Sequence, residues 1–222
     1  MAPFGASRAG LMSVVGDDIP DPDVYLQDDW GDGKFQNRDD SGTTTYNGVE
    51  GVYRPEWDEL AGSVEVIDND LVITGSDDAV VADINLALDE TITWTWDVDF
   101  SDNGGAGTDL SQLHLWTQDS ANKTTTGFHE SYVLRCRTGV SDEDIIFNKT
   151  DSSGGSIEIG RGGNLSTKHE IKATRQPNGD LEIFIDGTSI ITVNDTGLSN
   201  PVEIGFTSRD NSQVIVEEMK VN

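Results

Sequence analysis

The chain has 222 residues, with 14 lysines and arginines against 41 aspartates and glutamates, a formal charge of −27. Such a surface cannot neutralise phosphates, which excludes nucleic acid as a partner, and no stretch approaches the roughly 20 apolar residues of a membrane-spanning helix. The acidic excess runs along the whole length rather than forming a tail, the composition expected of a halophilic protein. At molar ionic strength the Debye length shrinks to about 3 Å and the self-repulsion is screened.

The predicted elements begin with an extended arm over residues 1–22, followed by one β domain over 23–222. The arm is punctuated by glycine and proline, ends in DDIPDPD and carries Leu11, Met12, Val14 and Val15. Those side chains would be wasted in solvent, so they are expected to bury against a partner subunit. Residues 1–18 lack a continuous apolar core of signal-peptide length, so the usual secretory route is not expected. Next comes LQDDWGDGKFQNRDD, residues 26–40. Counted as an EF-hand from Asp28, it has Asp32, Gly33 and Asp39 in place, but Trp30 occupies a ligand position and no helical pattern flanks it. The stretch is expected to open the first strand, with Leu26 and Trp30 inward and Asp28 with the glycines at a rim. Residues 31–51, polar and rich in glycine and threonine, read as a long loop.

Strand signals dominate from there on. After weaker runs in GVYRPEW, SVEVIDN, DLVITG and AVVADINLAL, the segment TITWTWDVDF alternates without a break. Ile92, Trp94, Trp96, Val98 and Phe100 share one face, and Thr91, Thr93, Thr95, Asp97 and Asp99 the other. SQLHLWTQ, ESYVLRCR, DIIFNK, HEIKATRQ, LEIFIDG, SIITVND, PVEIGFTSR and QVIVEEMKV follow, separated by turn signals such as PNGD and Asp186-Gly187. The single cysteine, Cys136, excludes an intrachain disulfide and reads as a buried thiol. No segment sustains a 3.6-residue apolar period, so the class is all-β, a sandwich or a barrel.

The last third, HEIKATRQPNGDLEIFIDGTSIITVNDTG followed by VEIGFTSRDNSQVIVEEMKV, resembles the concanavalin A-like lectin/glucanase sandwich in its laminin-G-like branch. DDWGDG is similar to the acidic, aromatic opening of such domains. The resemblance implies an antiparallel jelly roll of two sheets, and it implies either a lectin-like or a glucanase-like activity. The acidic composition and the phrase PFGASRAGLMS also resemble structural proteins of tailed viruses of halophilic archaea.

Glucanases of this superfamily carry their acids in a Glu-x-Asp-x-Glu run, which is absent. Asp97 with Asp99, and Asp142-Glu143-Asp144, are the nearest approaches, and they read as solvent-side acids. His114, His129 and His169 lie in separate segments without a nucleophile elbow and read as ordinary strand histidines. Structural Ca²⁺, which the resemblance also implies, has Asp28, Asp29, Asp32, Asp102, Asn103 and Asp210 as candidate ligands. For glycans, an aromatic platform is expected from Trp30, Tyr46, Tyr53, Trp57 and Trp116. Sequons fall at Asn122, Asn148, Asn164 and Asn194. These readings combine into a non-enzymatic virion structural protein on a capsid or tail surface. It would assemble as a homo-oligomer with other virion proteins through its arm and contact host-surface glycans. The alternatives are a polysaccharide-active glucanase and a monomeric cellular sugar-binding module.

Overall fold

The computed structural model describes residues 26–31, 33–36, 45–46, 49–50, 55, 57–83, 91–100, 109–117, 123–124, 127–128, 130–137, 145–165, 168–198, 203–208 and 212–222. The arm lies outside them. The described strands, in chain order, are β1 Leu26–Asp28, β2 Thr45–Tyr46, β3 Val49–Glu50, β4 Trp57–Ile67, β5 Asp70–Asp83, β6 Ile92–Asp99, β7 Asp109–Thr117, β8 Lys123–Thr124 and β9 Gly127–Phe128. They continue with β10 Ser131–Arg137, β11 Ile145–Thr150, β12 Ser156–Gly162, β13 Lys168–Arg175, β14 Asp180–Ile185, β15 Thr188–Asn194, β16 Glu203–Ser208 and β17 Ser212–Val221. Among the described residues there is no helix.

The strands form two antiparallel sheets in a sandwich, as the resemblance implied. One layer, here the β16 layer, runs β12-β11-β10-β7-β16 and ends on the second half of β5. The other, the β6 layer, starts from the first half of β5 and runs β17-β6-β13-β14-β15. β5 belongs to both: Leu71–Gly75 pair with β17, and Ala79–Asp83 pair with β16. β4 follows β5 through both layers, with register shifts around Ala61 where the pair changes layer. Thus DLVITG and AVVAD, which read as two strands, are halves of one.

Hairpins hold the register. Asp68-Asn69 links β4 to β5 with φ of 53° and 71°, and Asp186-Gly187 links β14 to β15 with φ of 49° and 75°. Positive φ at both loop residues is the type I′ geometry, whose twist matches the flanking strands. On the far side β12 lies against β15. A Cβ on Gly162 would stand 2.8 Å from the Ile190 carbonyl oxygen, so only glycine permits that approach. β12 went unrecognised in the sequence because DSSGG and RGGN read as turns on either side of it and Ile157 points into solvent. The stretch taken as one long loop, 31–51, contains the short hairpin β2–β3.

The inner faces supply the core. Trp94, Trp96, Val98 and Phe100 of the β6 segment meet Ile171, Ile183, Phe147, Phe206, Leu113 and Leu134. Cys136 is buried among them, as expected. At one end of the sandwich a polar clasp joins the layers. Lys149 Nζ lies 2.8 Å from Asp195 Oδ1, the Tyr132 hydroxyl donates to the same carboxylate, and buried Arg175 donates to the Leu198 carbonyl at 3.4 Å. Burial, then the Asp195 contact, pushes the Tyr132 hydroxyl well above its ordinary range. Burial alone would raise Asp195, but donation from Lys149, Tyr132 and the Gly197 N–H holds it below the ordinary 3.8.

Candidate functional site

The opening DDWGDG folds around Asp28. β1 pairs with the end of β17, Leu26 opposite Val221, which turns Leu26 and Trp30 inward as expected. The Asp28 side chain is wholly buried: Oδ1 accepts the Trp30 backbone N–H at 3.0 Å and Oδ2 accepts the Trp57 indole N–H at 2.7 Å. This Asx contact stabilises Trp30 at φ 49°, a conformation that costs energy for a side chain of its size. The rings of Trp30 and Trp57 lie 6.2 Å apart, and Trp57 stands 5.4 Å from Phe206.

Three expectations are corrected here. Trp30 and Trp57 are 0% exposed and belong to the core, so they cannot form a glycan platform. Asp28 does not stand at a rim and is no calcium ligand: both its oxygens serve N–H donors inside the protein. Asp29 accepts the Gly31 N–H at 3.0 Å. Among the described residues no three His, Cys, Asp or Glu side chains are grouped to hold a metal ion. Asp32, Asp102, Asn103, Asp210, Tyr53 and His129 lie outside the described residues, as do the side chains of Tyr46 and Trp116.

The outer face of the β6 layer carries a row of acids. Asp97 stands opposite Glu170 on β13 and opposite Glu218 on β17, where a register shift after Val216 sets the partnering. Burial, then Glu218 and Glu170, raise the Asp97 pKa above its ordinary 3.8. Asp97 therefore converges across strands and not with Asp99, which faces Lys168 in the register. The row is already partnered at one end: Gln27 donates to Glu218 at 2.8 Å, and Lys220 lies 2.8 Å from it.

The outer face of the β16 layer is different. Residues there alternate with core side chains, and the outward set mixes the apolar Val81, Val133 and Ile146 with polar groups: Gln112 and His114 on β7, Arg135 on β10, Asn148 on β11, Glu203 and Thr207 on β16. Arg135 stands opposite Gln112 on one side and Ile146 on the other, and Gln112 stands opposite Thr207. Val133 separates Asn148 from His114 in the next row. Gln112, His114, Asn148, Glu203 and Thr207 are buried, with His114 Nε2 3.4 Å from Thr207 Oγ1. Asn148 is 4% exposed, and among the described residues its Oδ1 has no hydrogen-bond partner. At the margin stand half-buried Arg135 and Arg137 and exposed Arg161, the last paired with Glu158 through Nε at 2.7 Å.

This polar inlay went unread because each strand contributes only one or two of its members. Only the registers bring them together. His114 read as an ordinary strand histidine; it lies in the inlay. His169 makes a surface pair with Asp186, 2.7 Å away. Of the sequons, buried Asn148 is closed to modification in the folded state, and Asn194 spends its amide N–H groups on Asn178 and Asp180.

No protein-family model matches the sequence, and no curated protein matches it. Solved structures match its fold. The carbohydrate-binding module CBM66 from Bacillus subtilis aligns at TM-score 0.56 and 12% identity, over 72% of this chain and 91% of that one. The potassium-bound carbohydrate recognition domain of Emp46p aligns at 0.56 and 14%, over 74% and 87%. A conserved carbohydrate esterase of the Shiga toxin-encoding bacteriophage phi24B aligns at 0.50 and 11%, over 74% and 88%. At these identities the likeness establishes the lectin-like jelly-roll fold.

Proposed function

We propose that the chain is a non-enzymatic, lectin-like virion structural protein that binds host-surface glycans on the outer face of its β16 layer. The observation that carries this reading is the inlay of Gln112, His114, Asn148, Arg135 and Thr207. Amide, imidazole, guanidinium and hydroxyl groups are the donors and acceptors that match sugar hydroxyls, and here they converge from four adjacent strands. Two of the fold neighbours are carbohydrate-binding or carbohydrate-recognition modules, and a third is a bacteriophage carbohydrate esterase. The charge of −27 suits a particle surface in molar salt. The arm, 1–22, attaches the domain 23–222 to copies of itself and to other virion proteins. Titration calorimetry against host-surface polysaccharides in molar KCl tests the glycan role, and absence of heat with every polysaccharide would refute it. Sedimentation of a chain lacking residues 1–20 tests the arm: a folded monomer is expected, and unchanged assembly would refute it.

A second reading, a polysaccharide-active enzyme, rests on Asp97 between Glu170 and Glu218. Directly opposed residues on a sheet place their Cβ atoms about 4.5–5.5 Å apart, near the spacing of a retaining carboxylate pair. Release of reducing ends from a polysaccharide, abolished by Asp97→Asn, would replace the first reading with this one. The existing engagement of Glu218 by Gln27 and Lys220 favours the first.

A further inference from the structure

β12 ends one layer and, among the described residues, pairs only with β11. Alternate residues along an antiparallel edge turn their N–H and C=O groups away from the partner, a template for one more strand. β12 is poorly guarded against such an addition. Ser156, Ile157 and Glu158 are exposed, and Ile157, at 65%, is the most exposed large apolar side chain among the described residues. Its two charges, Glu158 and Arg161, pair with each other. The other long edges are less open. β4 carries Asp58, Glu59 and Glu65 with no cation and shifts register around Ala61. β15 is pressed by β12, its Ile190 carbonyl oxygen 2.8 Å from where a Cβ on Gly162 would stand.

The arm supplies a matching strand. Residues 1–16 contain no aspartate or glutamate, the longest acid-free stretch of a chain of charge −27, and their one charged side chain is Arg8. Within it, Leu11-Met12-Ser13-Val14-Val15 runs between Gly10 and Gly16. That run is short enough to lie along the seven residues of β12 and apolar enough to cover Ile157. Reach decides whose arm it is. From Leu26 on β1 to β12 the path crosses five strand spacings, β1-β17-β6-β13-β14-β15, of about 4.8 Å each, and then the gap of about 10 Å between layers. The ten residues from Gly16 to Leu26 stretch to at most about 33–36 Å, which leaves nothing for the detour round side chains. We propose that, granted the assembly role of the arm above, residues 11–15 of one copy add as a strand to the free edge of β12 in another copy. Main-chain hydrogen bonds and apolar contact hold it, and neither fades as the Debye length falls to about 3 Å.

The experiment is sedimentation of the full chain in molar KCl beside two full-length variants, Ile157→Lys in the edge and Val14→Asp in the arm. Tryptophan fluorescence confirms the fold of each. Either variant alone should associate about tenfold or more weakly than the wild type. Mixed in equal amounts they should form a one-to-one pair, because the first brings an intact arm and the second an intact edge. Amide exchange over residues 156–162 of the Val14→Asp chain should slow as that pair forms. An Ile157→Lys chain that assembles as the wild type does, or a mixture that stays unpaired, overturns docking on β12. The chain lacking residues 1–20 then separates the two readings: a monomer leaves the assembly role of the arm standing, and unchanged assembly removes it. A wild type that stays monomeric at every concentration overturns both.

Discussion

Replacing Asp28 by Asn changes one heavy atom and tests the reading of the opening stretch. The carboxylate accepts two N–H groups in a dry interior, at 3.0 Å from Trp30 N and 2.7 Å from Trp57 Nε1. The amide retains one acceptor and turns an NH₂ group toward the other donor. One charge-assisted bond, worth about 1.5–3 kcal/mol, is lost, and a buried donor left unsatisfied adds up to about 1–3 kcal/mol. Removing a buried charge returns part of this, so a net loss of about 3 kcal/mol is expected. For a chain of this size each kcal/mol shifts Tm by about 2–4 °C, giving a fall of about 6–12 °C. The assay is thermal and urea unfolding in molar KCl, followed by tryptophan fluorescence, to which Trp30 and Trp57 contribute among the five tryptophans. Parallel runs contain Ca²⁺ or a chelator. A variant within about 0.5 kcal/mol of the wild type would refute the role given to Asp28. A chelator that destabilised the wild type as much as the substitution does would restore a metal there.

The remaining predictions concern charge and packing. Asp97, raised by burial and by Glu218 and Glu170, takes up a proton more readily folded than unfolded; its ionised form therefore costs stability at neutral pH, and the cost disappears as pH falls through the raised value. Asp97→Asn should raise the urea midpoint at pH 7, more in dilute buffer than in molar KCl, and a fall in both would contradict the acidic row. Asp195 is depressed, so its stabilisation is present above the unfolded carboxyl value of 3.8 and is lost as pH drops through the lower folded value. Asp195→Asn should cost about 2 kcal/mol at pH 7 and little at the acid end; an equal cost at both would remove the clasp from the account. Gly162→Ala puts a methyl 2.8 Å from the Ile190 carbonyl oxygen and should separate β12 from β15, read as faster amide exchange in those two strands. Unchanged protection there would show that the seam tolerates a side chain.

What the sequence revealed followed from period and turn chemistry. Ile92 to Phe100 alternate so strictly that their inward face was readable directly, and Asp186-Gly187 marked its hairpin because few other dipeptides tolerate two positive φ values. The exposed strand β12 was missed, since an edge strand with Ile157 in solvent and glycines at 160 and 162 follows no inward pattern. Trp57 beside a polar stretch suggested a surface aromatic; its burial depends on Asp28, 29 residues earlier in the chain, accepting the indole N–H. The inlay could not be read from single strands. Gln112, Arg135, Asn148 and Thr207 come from four strands, and only the pairing of β7, β10, β11 and β16 makes them one surface. A run of two outward polar residues flanking Leu113 was the available signal, and SQLHLWTQ contained it.

The central claim is that sugar binds the outer face of the β16 layer and not the acidic face of the β6 layer. Calorimetry in molar KCl on a folded Gln112→Ala/Asn148→Leu chain, beside Asp97→Asn, tests it most directly. The account predicts that the first variant loses glycan binding while Asp97→Asn binds as the wild type does. Binding that survives in the first and disappears in the second would contradict it.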